Sequence, residues 1–381
     1  MAAGTRRVSA ASARAHTRKG KSEGGSPFGR GILKKLFLVS FVVFLAWAYK
    51  SIQPPPPNIC GSPNGPPVTA PRVQLPDGRH LAYKEHGVPK ERAKYKIIFA
   101  HGFRGSRNES LNVSKELQEE LGVYIVTFDR AGYGESDPDP KRSVRSAALD
   151  IEQLADQLDL GPKFYVTGLS MGGYSIWGCL KYIPHRLAGA ALLAPVVNYW
   201  WQGFPANLFN EAYSLQALQD QWALRIPHYT PWLTYWWMTQ NWFPSSSVIS
   251  GTWKTVNRYD AEMMQNVFAR QRAAGHFRAT VQQGVFESLH KDMMVMFGKW
   301  DFDPMDLQNP FPNNEVSVHL WQGDEDALVP VSLQRYVAKR LPWIHYHEVP
   351  EAGHLFSFME GMTDRILRSL LLGEESPNNT S

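Results

Sequence analysis

From Arg72 onward, short apolar runs alternate with longer stretches whose apolar residues recur every three or four positions. Tyr95–Ala100 (YKIIFA), Val123–Phe128 (VYIVTF), Phe164–Gly168 and Ala188–Leu193 are runs of strand length. Between them, Ser114–Leu121, Val144–Leu158 and Gly172–Tyr182 have the spacing of amphipathic helices. A run that is apolar throughout is buried on both faces, so the alternation predicts a mostly parallel sheet with helices on either side. Upstream, Arg72–Leu75 and His80–Lys84 flank Pro76-Asp77-Gly78-Arg79, whose central Asp-Gly predicts a hairpin. After Pro195 the alternation lapses for about a hundred residues, then resumes with Val316–Trp321, Ser332–Leu341, Ile344–Val349 and Leu355–Leu372. The expected layout is an α/β core made of 72–197 and 315–373, with an inserted helical cap at 198–314.

The cap is dense in rings: Trp200, Trp201, Trp222, Trp232, Trp236, Trp237, Trp242 and Trp253 all fall in it. They suit either the packing of the cap's own helices or an apolar pocket wall and lipid-facing surface. His290 receives no role, because a histidine among apolar residues is more often core than ligand.

Ahead of the core the pattern differs. Residues 1–35 hold nine Lys or Arg and one Glu, a net +8, which leaves −3 for the rest of a chain whose total is +5. The basicity therefore belongs to a tail expected to be disordered; the folded part lacks a sequence-wide basic field and an aromatic-basic motif for nucleic acid. Leu36–Tyr49 (LFLVSFVVFLAWAY) lies in a membrane-anchor segment, 36–50. It is short for a span unless Gly31, Ile32 and Leu33 join it while Lys34 and Lys35 reach back to the headgroups. A retained anchor is the reading preferred over a cleaved signal ending near Ala46-Trp47-Ala48, which would make the protein secreted, and over a plastid-type transit peptide. The positive flank precedes the segment, so the catalytic domain is expected in the lumen of an endomembrane, the thin endoplasmic reticulum bilayer suiting a short anchor. The triplets at Asn108, Asn112, Asn378 and Asn379 would there be glycosylation acceptors. Residues 51–71 are Pro-rich and read as an extended spacer; 374–381 read as a disordered tail. Cys60 and Cys179 make no metal-ligand spacing, and no cofactor or metal is expected.

Gly168-Leu169-Ser170-Met171-Gly172 follows a predicted strand and opens a predicted helix, the setting in which G-x-S-x-G is a nucleophile elbow. A serine hydroxyl is a weak nucleophile at neutral pH and requires a base, which in turn requires an orienting group. Gly323-Asp324-Glu325-Asp326-Ala-Leu-Val-Pro330 ends one late strand and Ala352-Gly353-His354 ends the next. The predicted triad is Ser170 as nucleophile, His354 as base and Asp326 as its partner. Asp324 is the alternative acid; the G-x-x-D-x-x-V-P setting favours Asp326. His101-Gly102-Phe103 ends the run YKIIFA, so the backbone N–H groups of Phe103 and Met171 are the predicted oxyanion hole, with His101 structural. Asp129-Arg-Ala-Gly-Tyr-Gly-Glu-Ser136 reads as a turn beneath the site.

Together HGF, DRAGYGESD, GLSMGG, GDEDALVP and AGH resemble the alpha/beta-hydrolase superfamily from about Arg72 to Leu372. LPDGRHLAYKEHGVPK, LKYIPHRLAGAALLAP and FGKWDFDPMDLQNPFPNNE resemble a poorly characterised plant subfamily of membrane-linked hydrolases. The resemblance implies an alpha/beta-hydrolase fold and a hydrolase, with no particular substrate. Ser170 argues against the epoxide hydrolases and haloalkane dehalogenases of this fold, which use Asp as nucleophile. The expected function is serine hydrolysis of an ester or thioester with a hydrophobic or lipid-like part, with a small-molecule substrate and no nucleic acid. The alternatives are a hormone-like receptor on a hydrolase scaffold, and acyl transfer or carbon–carbon cleavage by the same residues.

Overall fold

The computed structural model describes residues 27–253, 257–273, 275–313 and 316–374. Most of the expected basic tail, and the expected C-terminal tail from residue 375 with the triplets at Asn378 and Asn379, lie outside the described residues.

Pro27–Ile52 is one continuous helix of 26 residues. Its segment Gly31–Ile52, with mean hydropathy 1.9, is long and apolar enough by length and composition to cross a membrane. At 1.5 Å per residue those 22 residues reach roughly 33 Å, close to the hydrocarbon thickness of a bilayer. The apolar run Leu36–Tyr49 is thus the middle of a longer helix that includes Lys34 and Lys35.

The compact body begins at Gln53. Among the described residues, eight strands form one sheet: β1 (Arg72–Gln74), β2 (His80–Gly87), β3 (Tyr95–Ala100), β4 (Val123–Phe128), β5 (Phe164–Leu169), β6 (Leu187–Leu193), β7 (Val318–Gly323) and β8 (Ile344–Val349). Their order is β1-β2-β4-β3-β5-β6-β7-β8. β1 and β2 pair antiparallel, as does β2 with β4; every pairing from β4 to β8 is parallel. Alternate residues of the parallel strands feed two apolar layers, as the period of two dictates. Ile98, Val126, Val166, Leu192 and Leu320 pack in one layer with Val144–Gln157, Gly173–Tyr182 and Val331–Arg340. Ile97, Ile125, Ala191 and Trp321 pack in the other with Lys115–Leu121 and Met362–Leu372.

Local signals set the helix ends. Ser143 and Ser146 form a reciprocal capping box that starts Val144–Gln157. Ser114 caps Lys115–Leu121, which stops at Gly122 in the left-handed region. The expected helix Leu355–Leu372 is divided: a short turn at Phe356–Phe358 precedes Met362–Leu372, with Gly361 at φ 72° forcing the break.

Ala100 lies beside Phe128 and Gly168, Leu169 beside Leu193, Leu193 beside Trp321, and Gly323 beside Val349. The strands β3 to β8 therefore end along one edge, where such sheets place their ligand sites. Helices between β6 and β7, from Ala206–Ser214 to Lys291–Phe297, form the inserted segment.

The Pro-rich segment differs from a free spacer. Asn58 N donates to Gln283 O at 2.9 Å, and Cys60 N to Gln283 Oε1 at 3.1 Å. Thr69 N, Thr69 Oγ1 and Ala70 N donate to the Glu135 carboxylate at 2.7, 2.6 and 3.0 Å. Proline forbids helix there, but the backbone N–H groups between prolines bond to the folded body. Cys60 is buried, and that burial, with Glu135 nearby, pushes its thiol up to about 11.

Candidate active site

Ser170 sits at φ 51°, a left-handed conformation that serine rarely adopts, in the turn from β5 into Gly173–Tyr182. The flanking glycines are dictated by crowding. A Cβ on Gly168 would lie 2.5 Å from Ile176 Cγ1, and one on Gly172 would lie 2.3 Å from Ala100 O. The bend lifts the hydroxyl clear of the sheet edge, where His354 Nε2 meets Ser170 Oγ at 2.9 Å.

His354 Nδ1 meets Asp326 Oδ2 at 2.7 Å, so Ser170, His354 and Asp326 come together in one line. Asp326 also accepts from Gln322 Nε2 at 2.8 Å and from Leu328 N and Val329 N at 2.8 and 2.9 Å. Those donors hold the Asp326 side chain with Oδ2 turned to the imidazole, whose Nδ1 then carries the proton and whose Nε2 is left to accept. Asp324 instead accepts Ala352 N at 3.3 Å and has no bond to His354. Burial alone would lower the His354 pKa, but the charge and hydrogen bond of Asp326 outweigh it and hold the imidazole above its ordinary range.

Phe103 and Met171 line the same cleft as Ser170 and His354. The cleft spans about 670 Å³, counting the part open to solvent, and is walled mostly by apolar groups, among them Val196, Leu224, Val248, Met293 and Phe297, with Tyr199, Gln216, Asp220 and Ser246 among the side chains that carry polar atoms besides Ser170 and His354. Asp220 is already engaged by Ser246 Oγ, Ser247 N and Ser247 Oγ at 3.2, 2.8 and 2.6 Å. The helix Leu218–Tyr229 turns Asp220, Ala223 and Leu224 to the cleft and leaves Leu218, Trp222 and Tyr229 exposed. Leu215, Leu218, Tyr229, Trp232 and Trp242 each expose more than three fifths of their surface. From Ala212 to Thr252, Asp220 and Arg225 are the only Asp, Glu, Lys or Arg.

Some supporting residues were not anticipated. Asp260, in Arg258–Met263 of the inserted segment, accepts His354 N at 2.7 Å and Leu355 N at 3.0 Å. A Cβ on Gly353 would lie 2.3 Å from Asp260 Oδ2, so AGH needs its glycine for this contact. Nothing near Asn257-Arg-Tyr-Asp260 in sequence signals that partnership. The DRAGYGES turn does more than reverse the chain. Asp129 accepts Arg107 N at 2.7 Å, Glu135 N at 2.9 Å and the Arg107 guanidinium, while Arg130 is buried against Asp292 at 2.5 and 2.7 Å. His101 is buried and bonded to backbone, as a structural histidine should be. His290 is buried against Tyr235 and Phe286, and burial lowers it to about 4.

A model of the Alpha/beta hydrolase family matches residues 97–368. Among curated proteins, the chain is 34% identical over 77 residues to the mouse sn-1-specific diacylglycerol lipase ABHD11, which is 20% of this chain and 25% of that protein. It is 37% identical over 79 residues to the zebrafish lysophosphatidylserine lipase ABHD12, 20% of each chain. With the Arabidopsis thaliana probable lysophospholipase BODYGUARD 1 it shares 20% identity over 279 residues, covering 69% of this chain and 55% of that one. The chain thus spans between a fifth and about half the length of these relatives. Among solved structures, it aligns with the Exiguobacterium antarcticum esterase EaEST at TM-score 0.53 and 16% identity over 79% of this chain and 99% of the other. The putative non-heme bromoperoxidase BpoC of Mycobacterium tuberculosis aligns at TM-score 0.54 and 16% identity, over 81% of this chain and all of the other. The sheet order, the elbow at its edge and a family match over well more than half the sequence agree, and the chain belongs to the alpha/beta hydrolase family.

Proposed function

We propose that this protein is a serine hydrolase that cleaves an ester or thioester of a hydrophobic, lipid-like substrate through an acyl-enzyme. The observation that carries the reading is the continuous hydrogen-bonded line from Ser170 Oγ through His354 to Asp326, 2.9 and 2.7 Å, at the floor of an apolar cleft. Ser170 Oγ attacks the carbonyl carbon as its proton passes to His354 Nε2. The oxygen that gains charge is met by the N–H groups of Phe103 and Met171. Collapse breaks the bond to the alcohol or thiol, which leaves with the proton from Nε2. Water, deprotonated by the same nitrogen, then attacks the acyl carbon and releases the acid and Ser170.

The substrate class is supported by the cleft's apolar lining and by the lipase activities named for the relatives. The Trp-rich, almost uncharged outer surface of Leu218–Tyr229 and its neighbours fits a lipid–water boundary, where tryptophan and tyrosine concentrate. The helix Pro27–Ile52 is read as a retained single-pass anchor, with the catalytic domain on the lumenal side of an endomembrane.

Labelling with a fluorophosphonate tests the function directly. Wild type is expected to label stoichiometrically and Ser170→Ala not at all, with hydrolysis of a p-nitrophenyl acyl ester lost in parallel. Labelling that persists in Ser170→Ala removes the nucleophile. Tight ligand binding by a chain that neither labels nor turns over would identify a receptor instead.

A further inference from the structure

We infer that Arg130 is a positioning residue for oxyanion binding: its guanidinium clamps the carbonyl of the Gly102–Phe103 peptide and so aims and polarises the Phe103 N–H at the other end of the same planar unit. The inference rests on the proposed acyl-enzyme reading and assigns a role within it.

A trans peptide is rigid, and its C=O and N–H point in opposite directions. Whatever fixes the Gly102 carbonyl therefore fixes the Phe103 N–H. That carbonyl accepts from Arg130 Nη2 at 3.1 Å, His101 Nδ1 at 2.8 Å and Gly105 N at 3.2 Å. The peptide lies against the nucleophile: a Cβ on Gly102 would stand 3.5 Å from Ser170 Cβ.

Two of the three donors depend on Arg130. Its backbone N–H donates to His101 Nε2 at 3.1 Å, which forces the imidazole proton onto Nδ1, facing Gly102 O. Burial and the neighbouring Arg130 charge push the His101 pKa well below the ordinary range, so the ring stays neutral and keeps that single donor. The guanidinium is itself immobilised. Asp292 takes Nη1 and Nη2 at 2.5 and 2.7 Å, Tyr174 Oη takes Nη1 at 2.8 Å, and the Tyr133 ring lies 4.9 Å away.

A buried Arg–Asp pair alone would be a structural feature. Here Arg142 also bonds Asp292, at 2.6 Å, so two guanidinium groups share one carboxylate and the buried cluster keeps a net positive charge. That charge reaches the site through the Gly102 carbonyl, and a charged donor on a C=O strengthens the N–H across the peptide. The carboxyl of Glu109, which accepts Gly102 N at 3.3 Å, is the acid on the other side of the turn, and burial pushes it up to about 7.

The test uses the full-length protein and normalises every rate to active sites counted by end-point fluorophosphonate labelling. In Arg130→Lys, kcat per labelled site is expected to fall about 10- to 100-fold on p-nitrophenyl butyrate, with KM changed less than about 3-fold. Affinity for a trifluoromethyl ketone, which forms the tetrahedral adduct, should fall by the same factor as kcat. A purely structural Arg130 would lower the labelled fraction or Tm and leave kcat per labelled site and ketone affinity intact, which overturns the inference. If Arg130→Lys does not fold, the pair His101→Asn and His101→Leu decides. Asparagine presents an N–H where Nδ1 stood and should keep kcat per site within a few-fold, while leucine should lose it by at least about 10-fold; equal rates overturn the inference. A wild-type chain that does not label at Ser170 would reject the hydrolase reading itself, before any variant is compared.

Discussion

The two walls of the cleft are built in opposite ways. Along the sheet edge, the site groups hang on turns a few residues long and are held by several polar partners each: Asp326 has four, and Arg130 is buried against Asp292, which the inserted segment supplies. The inserted segment opposite is aromatic and almost without charge over 212–252, and its outer rings meet solvent. One wall fixes geometry, since charged groups in low dielectric tolerate few arrangements. The other fits bulk, since rings and methyl groups accommodate shape at little cost. Rate should therefore be sensitive to substitutions in the first wall, and the choice of substrate to substitutions in the second.

The sharpest test of that division lies between two acids two residues apart. Asp326→Asn should lower kcat by about 10³- to 10⁴-fold, while Asp324→Asn stays within about 3-fold of wild type. In the proposed mechanism His354 must be neutral to accept the serine proton, so activity is expected to fall as pH drops through its pKa. Because Asp326 raises that pKa, the acidic limb of kcat/KM in wild type should centre above the ordinary histidine value. In Asp326→Asn burial is opposed only by the smaller contribution of the Asp260 charge, and the limb should move to lower pH; a limb that stays in place would mean that Asp326 does not set the base.

A smaller effect probes the place where the walls meet. Asp260→Ala should cost about 10-fold in kcat, because it frees the backbone of His354 and Leu355 without touching the proton path. An unchanged kcat with a lowered Tm would make that contact purely structural. The smallest effect is expected on the outer rings. Trp232→Ser with Trp242→Ser should leave p-nitrophenyl butyrate hydrolysis within about 2-fold, yet slow hydrolysis of a long-chain ester in phosphatidylcholine vesicles by about 5-fold. Equal loss on both substrates would place those rings in the fold rather than at a boundary with lipid.

The same contrast explains what could be read from the chain alone. Strand runs, caps and the elbow are local: Gly168, Ser170 and Gly172 announce a crowded turn within five residues, and the order Ser, Asp, His matches the order of strand ends. What escaped is non-local. Asp260 finds His354 across 94 positions and Arg130 finds Asp292 across 162, and no spacing rule links such pairs. The Pro-rich segment announced an absence of helix correctly, but proline content is silent on whether the intervening N–H groups bond to water or to Gln283 and Glu135.

That docking of residues 58–70 bears on where the chain can be trimmed. A fragment begun at β1 would strip the Glu135 carboxylate of the donors on Thr69 and Ala70 and remove the buried Cys60 from its contacts with Gln282 and Gln283. Glu135 also grips Arg107, so the loss would loosen the turn that leads into the site. The useful amino terminus for recombinant work is Gln53, ahead of the prolines.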